Sequence, residues 1–325
     1  MGIGLDFLLL IAGIVLLIWA GDLMVRGAAA LARHWGVPAL IVGLTIVAFG
    51  TSAPELVVSI QAVLAGASEL ASSNVVGSNI ANVLLAIGLP AMVLAIPTNI
   101  TGVGRNSVIA LAATAMVVGM IVINTPLARW QGAVLFAGII IYLLYMFRLA
   151  RSGASDPILE EMSELDEGED GLPTSVWVDL VFVAVGIAGL LGGGHLIVEN
   201  AKDIASAFGV SEAIIGLTIV AIGTSLPEIA TVLVAAYRGQ SDVALGNVLG
   251  SNIFNSFAVL GAASLTGAVA VDAAIARFDI WLMLAATLFL VGYIFTRNPI
   301  GRKTGFVLVL IYLAYMALVG TRMVG

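Results

Sequence analysis

Along most of the chain the apolar residues form near-continuous runs of about twenty, the length a helix needs to cross the hydrocarbon core of a bilayer. Polar residues gather at the joins between runs and at a few positions inside them. The runs do not alternate with a period of two in segments of about ten, as strands of a membrane barrel would, so they read as helices. Ten are expected, near residues 5–25, 37–64, 72–96, 106–124, 128–148, 176–198, 212–236, 244–266, 279–296 and 304–321. The first is too long for the core of a signal peptide and reads as a retained helix.

Composition agrees with this pattern. The chain has 325 residues, 61% of them hydrophobic and 10% charged, where a soluble protein carries about a quarter charged residues. With no cysteine, disulfides and thiolate metal sites are excluded. The net charge of −7 is unevenly spread, because eight of the twenty acids lie between Asp156 and Asp170. That stretch is the one long polar connection, and it reads as a solvated acidic linker over 151–175.

A repeat divides the chain. GLTIVAFGTSAPE, from Gly43 to Glu55, returns 173 residues later as GLTIVAIGTSLPE, from Gly216 to Glu228, with eleven of thirteen positions identical. The same offset carries NVVGSNIAN (Asn74 to Asn82) onto NVLGSNIFN (Asn247 to Asn255) with seven of nine identical. Each half, 1–150 with its motif at 43–82 and 176–325 with its motif at 216–255, holds five spans. An odd number sends the second half through the membrane in the opposite sense. The expected fold class is therefore an all-α polytopic membrane protein with ten transmembrane helices in two inverted five-helix repeats, a plan common among secondary transporters. With both termini outside, nine Lys and Arg fall on the inner side and four on the outer, the bias expected of cytoplasmic loops. The acidic linker is then cytoplasmic and the protein a multi-pass protein of the cytoplasmic membrane.

The motifs carry the chemistry. On a helix Thr51, Ser52 and Glu55 crowd one sector. Pro54 cannot donate to the carbonyl of Gly50 and opens that turn, which should loosen the carbonyls from Ala48 to Gly50. The same holds for Thr224, Ser225 and Glu228 with Pro227, and for the carbonyls from Ala221 to Gly223. In the next helix of each half Ser78 and Asn82, and Ser251 and Asn255, are four apart and share a face. Gly77 and Gly250 should let helices approach closely. Every donor in the set is a hard oxygen, which suits Na⁺, Ca²⁺ or Mg²⁺ and argues against copper, zinc or iron. A flexible cage favours Ca²⁺ over Mg²⁺. A charge at mid-membrane costs at least about 2.5 kcal/mol on insertion scales, and a bound cation would offset that. Two glutamates neutralise one Ca²⁺, and sodium ions at overlapping sites would compete for them.

Plainer readings exist for single residues. One Thr-Ser-x-Pro-Glu could be a kink with a protonated acid, but two copies, each followed by GSNIxN at the same interval, argue against that. Asn74, Asn79, Asn247 and Asn252 read as helix-packing polar residues, His195 as structural, and its aligned partner Asp22 as a helix-end or surface acid. No nucleophile–base pair is visible and both histidines lie outside the motifs, so an enzyme is not expected, nor a cofactor or a nucleic-acid partner.

GTSAPE…GSNIAN and GTSLPE…GSNIFN resemble the marks of the cation/Ca²⁺ exchanger superfamily, in its prokaryotic Na⁺/Ca²⁺ exchanger branch, and the resemblance covers essentially the whole chain. It implies that the second, third, seventh and eighth spans enclose cation sites at mid-membrane. It implies as ligands Thr51, Ser52, Glu55, Ser78 and Asn82, then Thr224, Ser225, Glu228, Ser251 and Asn255, with backbone oxygens of Ala48 and Ala221. It further implies exchange of one Ca²⁺ against several Na⁺, with the first and sixth spans sliding to alternate access. Some relatives, the K⁺-dependent ones included, have Asp where this chain has Asn255, which weakens the case for K⁺ transport. The expected function is Ca²⁺/Na⁺ antiport. Ca²⁺/H⁺ or other divalent exchange on the same fold, and a passive cation channel, are the alternatives.

Overall fold

A computed structural model describes residues 3–37, 39–151, 175–208, 223 and 225–324. The acidic linker and the first part of the seventh expected span, with Ala221 and Thr224, lie outside the described residues. What is described is helical. We label the helices α1 (Ile3–Trp35), α2 (Gly43–Thr51), α3 (Ala53–Leu64), α4 (Glu69–Val93), α5 (Val103–Ile123), α6 (Arg129–Arg151), α7 (Val176–Ala207), α8 (Leu226–Tyr237), α9 (Ser241–Thr266), α10 (Ile275–Phe295) and α11 (Arg302–Val324). Among the described residues eight are long and apolar enough to cross a bilayer, and the bent pair α2–α3 makes a ninth. Helix α8 is the described end of the seventh expected span.

Burial sorts the spans. In α4 and α9, 83% and 89% of the apolar window is enclosed by protein, against 17–44% in the other six long helices. The outer helices turn large apolar side chains outward, such as Leu8, Trp19, Ile141, Trp177 and Leu313, as lipid-facing surfaces do. The two helices that carry the GSNIxN motifs are therefore the innermost.

The halves pack through contacts that exchange under the 173-residue offset. Gly88 of α4 lies against Gly305 of α11, and Gly132 of α6 against Gly261 of α9; each contact is the other with its halves swapped. The same is true of the backbone pairs Ile96–Ile300 and Leu127–Val269. Thr114 and its counterpart Thr287 face each other at 3.5 Å. Along α1 and α7, Gly13 meets Ile197, Ala20 meets Gly189, Met24 meets Gly186 and Gly27 meets Val183. One number rises as the other falls, so these equivalent helices run antiparallel, as inversion requires. Even the helix ends repeat. Gly66 and Gly239, at φ 80° and 72°, close α3 and α8 in the left-handed conformation that glycine adopts without strain.

Helix α1 runs ten residues past its expected end and, at 33 residues, measures about 50 Å. Asp22 is thus in mid-helix and not at a helix end. It pairs with Arg26 at 3.9 Å and with Arg238 beyond α8. At the far end of α1, His34 pairs with buried Asp179 of α7. His195 is exposed.

Close approach at Gly250 is a packing requirement. A Cβ there would stand 2.6 Å from Ala48 Cβ and 2.7 Å from the Leu44 carbonyl. For Gly77 no described atom lies within 4 Å. Gly250→Ala should cost about 1–3 kcal/mol by overpacking α9 against α2, lowering the thermal unfolding midpoint of the purified protein in detergent. Gly119→Ala, whose Cβ enters open space, should leave that midpoint unchanged.

Candidate cation site

Between α2 and α3 the chain breaks at Ser52 (φ −85°, ψ 6°), and the two segments meet at 49°. Pro54 therefore stands at the second position of a new helix, where its missing N–H leaves no bond within that helix unmade. Glu55 falls in the first turn of α3, at the positive end of the helix dipole. The second half repeats this arrangement. Ser225 (φ −90°, ψ 2°) precedes α8, Pro227 is its second residue, and Glu228 lies in its first turn. Neither serine caps its own helix. Ser52 Oγ instead donates to Glu228 Oε1 across the halves at 3.3 Å.

This geometry corrects one expectation. The Ala48 carbonyl is not loosened, since it accepts the Ser52 N–H at 3.0 Å and lies 3.3 Å from Thr51 Oγ1. The carbonyl left without an intrahelical donor is that of Gly50, four residues before Pro54. Thr51 Oγ1 also lies 3.1 Å from Asn247 Oδ1 and 3.4 Å from Ser251 Oγ. Its one proton can serve one acceptor at a time, so its lone pairs stay available.

Glu55 and Glu228 are both fully enclosed, 0% and 1% exposed, and lie within electrostatic reach of each other. Ser78 stands beside Glu55, and Thr51, Ser52 and Ser251 beside Glu228. Asn82 and Asn255 each open a π-helical turn, Asn82–Ala86 in α4 and Asn255–Val259 in α9, a distortion that recurs at functional sites. Glu55 Oε1 and Oε2, Glu228 Oε2, Asn82 Oδ1, Asn255 Oδ1 and Ser225 Oγ are buried without a hydrogen-bond partner. Such atoms are costly to desolvate unless something meets them, and all are oxygens of the kind that hold Na⁺ or Ca²⁺. Among the described residues no three His, Cys, Asp or Glu side chains gather, and the other described oxygens around the two glutamates are neutral.

Of the asparagines read as packing residues, three bridge halves. Asn247 accepts from Thr51, Asn252 accepts from Asn82 at 3.0 Å, and Asn79 donates to Ser256 at 3.0 Å. Asn74 stays within its own half, donating to Ser59 Oγ at 3.0 Å and to the Glu55 carbonyl at 3.3 Å.

The sequence profile of the sodium/calcium exchanger proteins matches residues 5–148 and again 178–321. The chain belongs to the sodium/calcium exchanger family. The two matched stretches stand 173 residues apart, the interval that relates the motifs. CaxA of Alkalimonas amylolytica, provisionally named an antiporter, is 38% identical over 95% of this chain and 96% of its own. The sodium/calcium exchanger MaX1 of Methanosarcina acetivorans is 32% identical over 97% of this chain and 98% of its own. A structure of the sodium-calcium exchanger NCX_Mj, soaked with zero Na⁺ and Ca²⁺, superposes with a TM-score of 0.82 and 29% identity over 98% of this chain and 100% of that one. The protein is thus a membrane antiporter of the exchanger family and not an enzyme.

The two hydrogen bonds of Asn74 make it a support of the α3–α4 corner. Asn74→Ala should lower stability by about 1–2 kcal/mol, read as a lower unfolding midpoint in detergent. Ca²⁺ binding by the purified protein should be unchanged in that variant.

Proposed function

We propose that the protein exchanges Ca²⁺ for Na⁺ across the cytoplasmic membrane by alternating access. Residues 1–150 and 176–325 act as inverted repeats, 151–175 is a cytoplasmic linker, and both termini are outside. The observation that carries this reading is the pair of buried glutamates contributed by opposite halves, each at a helix start and each with unpartnered oxygens. Together they balance one Ca²⁺. With Thr51, Ser52, Ser78, Asn82, Thr224, Ser225, Ser251, Asn255 and the backbone oxygens of Ala48 and Ala221, they offer enough oxygens for several ions in overlapping positions. The cage is stable when either cation species fills it and unfavourable when it holds none, so release of one is coupled to capture of the other.

A departure from symmetry supports alternating access. Gly50 packs on Ile187 of α7. Strict two-fold symmetry would set its counterpart Gly223 on Ile14 of α1, yet Gly223 packs on Val198, again of α7. Helix α1 leans on α8 through Gly21 against Val234 and through Asp22 with Arg238. Gly194 of α7, the counterpart of Gly21, lies against Pro227 of α8, with no atom of α3 within 4 Å of its Cβ position. The α1–α7 pair thus sits closer to the second half. Moving it to the equivalent place on the first half would give a second state of similar energy, open to the other side.

Glu55→Gln and Glu228→Gln should each abolish Ca²⁺ uptake driven by a Na⁺ gradient in proteoliposomes. Undiminished uptake in either variant would sink the proposal. Wild-type uptake driven by a pH gradient without Na⁺ would instead favour H⁺ coupling, and single-channel currents would favour a passive pore.

A further inference from the structure

We infer that Asn252 is a positioning residue that holds the Asn82 amide with its oxygen toward the cations, an inference that rests on the exchange reading above. Asn82 is 0% exposed and Asn252 1%. Asn82 Nδ2 donates to Asn252 Oδ1 at 3.0 Å. A planar amide that commits its nitrogen to one neighbour must present its oxygen on the other side. That oxygen is buried and has no hydrogen-bond partner. Asn252 is oriented in turn, since its Nδ2 reaches the Asn79 main-chain carbonyl at 3.5 Å. The two amides form a short chain that crosses from α4 to α9, and each fixes which end of the next faces which way.

The counterpart pair in the other direction does not form. Under the 173-residue offset Asn255 corresponds to Asn82 and Asn79 to Asn252, so exact symmetry would have Asn255 donate to Asn79 Oδ1. Both side-chain atoms of Asn255, and Asn79 Oδ1, are without partners. Asn79 Nδ2 goes instead to Ser256 Oγ at 3.0 Å and lies 3.7 Å from Met283 Sδ. The first-half counterparts of those acceptors are Val83 and Ala110, which accept nothing. Two substitutions between the halves therefore explain the difference. The Asn82 amide is locked as an oxygen ligand, and the Asn255 amide is free to turn.

The lock should matter more for Na⁺ than for Ca²⁺. Two carboxylates supply the charge that one Ca²⁺ needs. Several sodium ions sharing the same carboxylates must draw more of their coordination from neutral oxygens, and Asn82 Oδ1 is one that needs no reorientation on binding.

The test is Na⁺ competition against radiolabelled Ca²⁺ uptake by the full chain in proteoliposomes. Asn252→Ala should raise the half-saturating Na⁺ concentration about five-fold and that for Ca²⁺ less than about two-fold, with the maximal rate retained. Asn82→Ala, which removes the oxygen itself, should raise the half-saturating Na⁺ concentration at least as much, and the double variant should be no worse than Asn82→Ala alone, because Asn252 acts only through Asn82. Asn252→Leu, which fills the volume without an acceptor, is carried alongside. Its Na⁺-dependent thermal stabilisation in detergent should weaken while that by Ca²⁺ persists. An unchanged Na⁺ dependence, an equal loss for both ions, a fall in maximal rate alone, or additive effects in the double variant would overturn the inference. If the wild-type protein shows no Na⁺-dependent uptake, the exchange reading falls and this inference with it. If the wild type exchanges and the variants keep its Na⁺ to Ca²⁺ ratio, this inference alone fails.

Discussion

A carboxylate withdrawn from water is costly unless its charge is met, and this protein withdraws two, Glu55 and Glu228, into one enclosed volume. Much of the surrounding architecture answers that constraint. Each acid sits in the first turn of a helix, so backbone N–H groups and the dipole face it. In the first half a serine breaks the preceding helix, and in both halves a proline takes the second position of the new one, where its missing N–H costs that helix no bond. The serines do not cap their own helices, and Ser52 turns to the carboxylate of the other half. The innermost helices α4 and α9 complete the wall with amides and hydroxyls that add oxygens but no charge. With both acids ionised, the fold would leave two units of charge unmet, which on the proposed reading one Ca²⁺ supplies.

The outline of this arrangement is legible in the chain because membranes leave few choices. Apolar runs of spanning length become helices, and a duplicated motif at constant offset implies two copies of one unit. The acids, hydroxyls and amides of GTSxPE and GSNIxN stand out because they cluster and recur at one offset, while other polar residues of those runs, such as Ser59, Gln61 and Ser264, are scattered and do not recur. Other features were not legible. The extension of α1 to Trp35 passes through Asp22, Arg26 and His34, which hydropathy takes as an ending. Those charges are tolerated because Arg238, the Phe182 ring and Asp179 receive them, and such partners are known only once the fold is. A proline in an apolar run reads as a kink, and whether the helix restarts is decided by packing. The π-turns at Asn82 and Asn255 have no signature in side-chain order. The asparagines read as packing residues do pack, but three of the four do so across the halves, which helical spacing within one element cannot indicate.

Duplication builds the site, and under alternating access imperfect duplication would open it to one face at a time. If every contact were exchanged by the two-fold relation, neither face of the membrane would be favoured and the pocket would see both sides or neither. Two kinds of departure occur. One is conformational, in which sequence-equivalent glycines, Gly50 and Gly223, both pack on α7. The same sequence could therefore adopt the mirrored arrangement. The other is chemical, because Asp22 pairs with Arg238 while their counterparts are His195 and Ala65, which cannot form that ion pair. The first kind would permit two states and the second would make them unequal. A conformational equilibrium shifts only by the difference in a ligand's affinity for its states. Under alternating access, an inherent bias between the two states would therefore set how much of the cation binding energy goes into turning the site from one face to the other.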